Sequence, residues 1–364
     1  VSSTATPIYF NGKFYAGGMN GVHRVSDRLI REVDALLAAM PPERRPPARL
    51  LIPARRQWQP VLRAIELVEQ ADGDTQRWEQ LVLPARAADG VLVNLANLAP
   101  IRHRRKILLI HDAQFLFPDS SYPWRQRVGY RLLVPRMARS SAAVLTVSAY
   151  SRQMLDLLGV VDRRMTEVLH NGVDHILDGE SDRDALARLG LTAGRYVLLF
   201  GSPKAYKNNH VVFEAFADGA LAPLQLVVVG ADRATLGAAG LTPPTDAVFV
   251  GRCDDATLRA LYMDAHAQVF PSRTEGFGLP PLEAMLCGCP AIVAPAGAIP
   301  EMCRDAVLYA DVDDPAGWRQ AIAALADPVV RSAKRAAGHD RAAAFRWDSA
   351  GRQLLDVIER VARD

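Results

Sequence analysis

Short apolar runs alternate with longer amphipathic stretches along the chain. PIYFN (7–11), ARLLIP (48–53), GVLVNL (90–95), KILLIH (106–111) and AAVLTV (142–147) are short, apolar and rich in β-branched residues, which predicts buried strands. Between the first two, GVHRVSDRLIREVDALLAAM (21–40) carries apolar residues at helical spacing, and Pro41-Pro42 ends it. After AAVLTV a helix opens at Ser148, whose hydroxyl suits an N-cap, and stops at Gly159. MTEVLHNGVD (165–174) predicts a further strand running into a turn.

The same grammar restarts after the polar connection HILDGESDRDALARLG (175–190). RYVLLFG (195–201), LQLVVVG (224–230), AVFVG (247–251), AQVFP (267–271) and PAIVA (290–294) predict strands, with helices from about Asn208 to Ala217 and from near Asp232. Apolar strands separated by helices argue for parallel sheets covered on both faces. The expected fold class is therefore α/β, with two Rossmann-like, doubly wound domains facing across a cleft. Their expected extents are 1–178 and 179–345. In such sheets ligands bind at the carboxyl ends of the strands.

Composition agrees with this picture. The 364 residues suit two domains, and 49% apolar with 23% charged residues is ordinary for a soluble globular protein. No apolar run is long enough to span a bilayer, and VSSTATPIYF lacks the basic and apolar regions of a signal peptide. Cys253, Cys287, Cys289 and Cys303 form no C-x-x-C pair, so free thiols are expected, without disulfides or zinc, in a cytoplasmic protein.

Charge changes the picture more. Residues 1–175 carry 24 Lys and Arg against 16 Asp and Glu, whereas the remainder carries 19 against 24. A basic first half points to an anionic partner: a membrane surface, a phosphorylated acceptor or nucleic acid. The chain has no recognised nucleic-acid module, so nucleic acid is set aside.

The candidate chemistry concentrates in TEGFGLPPLEAM (274–285), a loop between the strand AQVFP and a helix expected to start at Pro280 or Pro281 and to stop at Gly288. Gly276 and Gly278 permit a tight turn and close backbone approach to a ligand. The amides of Phe277, Gly278 and Leu279 with the helix N-terminus suit an anion, most naturally a diphosphate. Glu283 is expected in the first helical turn, where its charge is favourable and it can accept from hydroxyls. Glu275 stands on the other side of the glycines. A nucleotide-sugar has hydroxyls at both ends of a diphosphate and matches this spacing. The alternative is a generic acid at a helix start beside a glycine turn, and the preceding strand with the intervening GFGLPP favours the site.

EGFGLPPLEAM resembles the signature of glycosyltransferase family 4, retaining enzymes with the two-Rossmann GT-B fold. GGMNGVHRV (17–25), IHDAQFLFP (110–118), TVSAYSRQML (146–155), LHNGVD (169–174), FGSPKAYKN (200–208) and RWDSAGRQLLDVIERV (346–361) resemble its other segments in order. The signature resembles that of bacterial mannosyl- and rhamnosyltransferases of polysaccharide assembly. The resemblance implies that the C-terminal helix 346–364 crosses back to an acceptor-binding N-domain, and that 179–345 binds the donor. It implies that Glu283 binds the ribose, Glu275 the transferred sugar and Lys207 the diphosphate, promoting departure of the nucleoside diphosphate with no metal and no cofactor. His111 would contact the sugar, and Gly18 would lie close to the phosphates. Many family members pair the lysine with an arginine that is absent between Gly201 and Asn208, and Lys204 is the substitute offered here. Two readings stand for Asn171 and Asp174, an Asx-type turn or a ligand-facing pair at a hinge. His23 either approaches donor or acceptor or caps a helical turn.

The implied activity is transfer of a hexose, mannose from GDP-mannose as the first choice, to a polysaccharide or a lipid-linked oligosaccharide. The alternatives are a nucleotide-sugar 2-epimerase of the same fold and a weakly catalytic nucleotide-sugar-binding relative. In WRQRVGYRLLVPRMAR (124–139), helical spacing groups Tyr130, Leu133, Val134 and Met137 on one side. Arg125, Arg127, Arg131, Arg136 and Arg139 mix with Trp124, Val128 and Leu132 on the other. With RHRRK (102–106), that face suits either an anionic membrane surface near a lipid-linked acceptor or plain solvent.

Overall fold

The computed structural model describes residues 5–117 and 123–363. The chain forms two compact units. One takes in the chain up to Phe117, the stretch ending at Gly172, and everything from Trp347; the other contains Val173–Arg346.

The first unit holds a seven-stranded sheet of β1 (Ile8–Asn11), β2 (Ala48–Pro53), β3 (Glu66–Gln70), β4 (Val91–Asn94), β5 (Lys106–Ile110), β6 (Ala143–Thr146) and β7 (Thr166–Val168). The order is β3-β2-β1-β4-β5-β6-β7, and every pair is parallel. The chain winds outward from β1 in one direction, then returns to β4 and winds in the other, so the switch point lies between β1 and β4. The central strands are buried along their whole length, as expected for a sheet covered on both faces.

The helix Gly21–Ala39 is capped by Asn20, whose side chain accepts from the His23 N–H, and it buries Val25, Leu29, Ile30, Val33 and Leu37. The last helix, Trp347–Arg363, belongs to this first unit and buries Leu354, Leu355, Val357, Ile358 and Val361. The two helices touch through Gly351, where a Cβ would stand 2.4 Å from the Glu32 Cβ.

The second unit repeats the scheme with β8 (Tyr196–Gly201), β9 (Gln225–Gly230), β10 (Val248–Gly251), β11 (Ala267–Phe270), β12 (Ala291–Val293) and β13 (Leu308–Tyr309). Their order is β10-β9-β8-β11-β12-β13, again all parallel, with the switch point between β8 and β11. Val197, Leu199, Val228, Val269 and Ile292 from the sheet pack with Val212, Phe213, Trp318 and Ile322 into one core.

Several expectations need correction. β3 and β13 are strands without an apolar signal: β3 is the edge sequence ELVEQ, mostly exposed, and β13 is two residues long. The two compact units divide between Gly172 and Val173. Val173 donates its N–H to the Phe345 carbonyl at 3.0 Å, and His175 is buried against Glu283, which fastens this stretch to the second unit. Trp124–Arg139 is one helix through Pro135, with Val134 and Met137 inward as spacing implies. Leu133, however, is 41% exposed rather than buried with them. All four cysteines are free.

Candidate active site

Two loops leave the switch point of the second sheet, one after β8 and one after β11. In the first, Lys204–Lys207 closes a tight turn, with the Lys207 N–H on the Lys204 carbonyl at 3.0 Å. Asn208 follows with φ of 55°, a left-handed conformation that asparagine tolerates better than most residues. Its side-chain amide donates to the Pro271 carbonyl at 3.2 Å and the Val312 carbonyl at 2.7 Å, tying the first loop to the second. Asn209 accepts from the Ser202 N–H at 2.7 Å and donates to the Phe200 carbonyl at 3.1 Å. These two buried asparagines fix the backbone on which Lys207 stands. Lys204, the proposed substitute for an arginine, is exposed, with its Nζ 5.8 Å from the Tyr206 ring centre.

In the second loop, Glu275 meets Lys207: Oε1 lies 2.7 Å from Nζ, with side chains 14% and 23% exposed. The ammonium also lies 5.2 Å from the ring centres of Tyr206 and Phe270, so two aromatic faces support its charge. The Glu275 backbone is gripped from behind, because its carbonyl accepts from the Ala298 N–H at 2.9 Å. A Cβ on Gly297 would come within 2.4 Å of the Glu275 nitrogen. Gly278 has φ of 96° and caps the next helix without a side chain. Phe277 turns its ring into the core, 5.5 Å from Phe345 and edge-on to it, so only its backbone can face a ligand. Gly276 and Leu279 flank this turn and are both half-buried.

The helix starts at Leu279, one residue before the prolines, since neither Pro280 nor Pro281 needs an N–H in the first turn. Glu283 therefore lies beyond the first turn, a correction to its expected place. Its carboxylate is held by side chains instead. The Tyr262 hydroxyl donates to Oε2 at 3.3 Å, and His175 Nε2 lies 3.0 Å from Oε1 in a close contact without hydrogen-bond geometry. Burial and the neighbouring Glu283 charge push the Tyr262 phenol well above its ordinary pKa, keeping it a donor. Sequence reasoning missed both partners. His175 directly follows the LHNGVD segment, while Tyr262 has no local signal.

In the first unit, His111 follows β5 and is buried, with Nε2 2.7 Å from the Leu95 carbonyl. Burial depresses its pKa to about 4, so the ring is neutral near pH 7. Facing a carbonyl, Nε2 must carry the proton, which makes Nδ1 the acceptor. The His111 N–H donates to the Asn97 side chain at 2.7 Å, and Asn97 itself has φ of 67°. At the switch point of this sheet, Asn11 donates to Glu79 at 2.9 Å and to Asn94 at 3.1 Å, and Lys13 pairs with Glu79 at 2.9 Å.

His23 Nδ1 lies 2.7 Å from the exposed Gly18 carbonyl, so the histidine braces the glycine loop, and burial lowers its pKa. The Asx-turn reading of Asn171 fails. Its Oδ1 is buried without a hydrogen-bond partner among the described residues, and the Val173 N–H it would need goes to Phe345. Asp174 lies 3.5 Å from Arg346 in an ion pair.

Residues 194–327 match the family model described as glycosyl transferases group 1. A D-inositol 3-phosphate glycosyltransferase of Catenulispora acidiphila is 31% identical over 74% of this chain and 68% of its own length. The O-antigen chain mannosyltransferase RfbU of Salmonella typhimurium is 27% identical over 60% of each chain, so the match spans less than two thirds of that relative. The O-antigen chain mannosyltransferase B of Escherichia coli is 28% identical over 71% of each. Among solved structures, sucrose-phosphate synthase from Thermosynechococcus elongatus superposes with a TM-score of 0.75 at 18% identity, covering 98% of this chain and 99% of the other. Anabaena HepE in complex with UDP-glucose gives 0.70 at 16% identity, covering 98% and 100%. The fold is GT-B.

Proposed function

Since the chain belongs to the glycosyl transferases group 1 family, we propose that it is a retaining hexosyltransferase, moving mannose from GDP-mannose to a polysaccharide or lipid-linked oligosaccharide at the cytoplasmic face of a membrane. The observation that carries this reading is the Lys207–Glu275 pair at the β8/β11 switch point, on a backbone fastened by Asn208, Asn209 and Gly297. In doubly wound sheets ligands bind at such a switch point, which supports this reading. A fixed cation is what a departing diphosphate needs.

In this reading Lys207 faces the diphosphate with the turn of Gly276 to Leu279, with Lys204 as a second, more mobile cation. Glu283 accepts from the ribose, and Glu275 accepts from the transferred sugar. The bond from the anomeric carbon to the diphosphate oxygen breaks, and its electron pair leaves with the diphosphate beside Lys207. The acceptor hydroxyl oxygen bonds to the anomeric carbon from the same face, and its proton passes to the departing diphosphate. Glu275 is not assigned as nucleophile, because its carboxylate already neutralises an ammonium. His111 accepts from a sugar hydroxyl through Nδ1, as Nε2–H is committed to Leu95. The exposed Gly18 loop, braced by His23, is assigned to the phosphates, and Asn171 and Asp174 to the acceptor or a hinge. No metal or cofactor takes part in this scheme.

The mannosyltransferases among the relatives support the choice of sugar. Trp124, Val128 and Leu132 are 68%, 50% and 54% exposed beside Arg125 and Arg131, which supports peripheral contact with an anionic membrane. Among the described residues no helix is long and apolar enough to cross one. An NMR time course of GDP-mannose with and without a lipid-linked glycan tests the reaction class. Release of GDP with a new α-glycoside, dependent on acceptor, supports transfer. Epimerised donor without acceptor points to the isomerase reading and overturns this one.

A further inference from the structure

We infer that His175 and Tyr262 are positioning residues that clamp Glu283, one on each carboxylate oxygen, so that it receives a vicinal diol of a nucleoside diphosphate. The inference rests on the ribose-binding role proposed above for Glu283.

A carboxylate 5% exposed needs partners for its oxygens, since burial strips its hydration. Glu283 has one from each of two other elements. His175 comes from the short turn Asp174–Leu177, and Tyr262 from the helix Asp255–Asp264. Both are themselves buried, at 1% and 0% exposure. The Tyr262 hydroxyl donates to Oε2 at 3.3 Å, and His175 Nε2 packs 3.0 Å from Oε1 in a contact that lacks hydrogen-bond geometry. One contact would leave the carboxylate free to rotate about its terminal bond. Two, from separate elements, limit its rotation and leave lone pairs on both oxygens to accept from two adjacent hydroxyls.

The clamp is itself anchored. Val173 donates to the Phe345 carbonyl at 3.0 Å and Asp174 pairs with Arg346 at 3.5 Å, so the turn carrying His175 is fastened just ahead of that residue. Phe345 also packs edge-on against Phe277 of the glycine turn. Diphosphate turn and diol acceptor are thus referenced to one aromatic contact. An ion pair serving stability alone would place no demand on ligand hydroxyls, and this difference is measurable.

The test is titration calorimetry of the full chain with GDP, UDP and their 2′,3′-dideoxy counterparts. Wild type is compared with Glu283→Gln, His175→Ala, His175→Gln and Tyr262→Phe. Wild type is expected to prefer the ribonucleotide about tenfold, the scale of hydrogen bonds to a buried charge. Glu283→Gln, His175→Ala and Tyr262→Phe each remove most of that preference while leaving dideoxynucleotide affinity within about threefold. His175→Gln, which keeps a polar side chain of similar reach beside Oε1, restores part of it.

Equal weakening of ribo and dideoxy forms by His175→Ala and Tyr262→Phe overturns the inference, and so does an intact preference. If wild type shows no preference, or Glu283→Gln retains it, the ribose role of Glu283 fails and the clamp with it. If Glu283→Gln erases the preference and both clamp variants keep it, only the clamp fails. Should His175→Ala not fold, Tyr262→Phe, which deletes a single atom, decides.

Discussion

Lys207 and Glu275 meet at 2.7 Å although 68 residues separate them, because their loops leave adjacent parallel strands at the point where the second sheet reverses its winding. The lysine cannot be removed without leaving the Glu275 carboxylate, 14% exposed, without its ammonium partner. Lys207→Ala is therefore expected to lower donor turnover by about 10²–10³-fold. Glu275→Ala removes the sugar contact and is expected to act similarly. Because the two groups form one unit, the double variant should cost little more than the worse single one, as measured by GDP release. Full additivity would separate their roles.

The grip on Glu275 gives a second prediction. Gly297 has φ of 64°, and a Cβ there would reach the Glu275 backbone at 2.4 Å. Gly297→Ala should cost about 1–3 kcal/mol of stability in denaturant unfolding and lower activity by displacing Glu275. Gly237→Ala, in a helix where a Cβ meets nothing within 4 Å, should be neutral or mildly stabilising.

How far the site could be read from the chain differs by residue. Glu275, the glycine turn, Lys207 and Glu283 carry local signals, since glycine, proline and charge at short spacing report on backbone and helix start together. Both winding patterns are legible because buried parallel strands are apolar throughout. What was hidden depends on contacts distant in sequence. Gly297 matters through a backbone 22 residues earlier, Tyr262 through a carboxylate 21 residues later, and His175 through one more than 100 residues away. The edge strand Glu66–Gln70 was hidden for another reason: with one sheet neighbour and an exposed face, it needs no apolar run. Leu133 fell on the wrong face because helical spacing locates a stripe but not its edge.

His111 predicts a pH effect. Its pKa is about 4 in the folded chain and near 6.5 when unfolded. A depressed pKa means the unfolded chain binds the extra proton first, so stability is fully present above 6.5 and is lost as pH falls toward 4. The loss should reach about 3 kcal/mol. Urea unfolding of wild type and His111→Gln between pH 7 and 4 should show their difference shrinking with acidification. A difference constant with pH would mean that the imidazole does not titrate on unfolding.

The exposed face of Trp124–Arg139 yields a fourth prediction. Arg125→Glu with Arg131→Glu should weaken sedimentation with phosphatidylglycerol vesicles by at least about tenfold, on the scale of 1 kcal/mol per basic residue near the surface. Trp124→Ser should weaken it further, with little effect on soluble-acceptor turnover. Unchanged vesicle binding would assign this face to solvent.

The most direct test of the central claim is thermal unfolding of wild type, Lys207→Ala and Glu283→Ala against GDP-, UDP-, dTDP- and ADP-sugars. Ligand at one hundred times its dissociation constant contributes about 2.7 kcal/mol. At least one nucleotide-sugar, GDP-mannose first, should raise the wild-type midpoint by several degrees, and both variants should lose most of that rise. No rise with any donor, or a rise that both variants keep, would contradict a nucleotide-sugar site built on these residues.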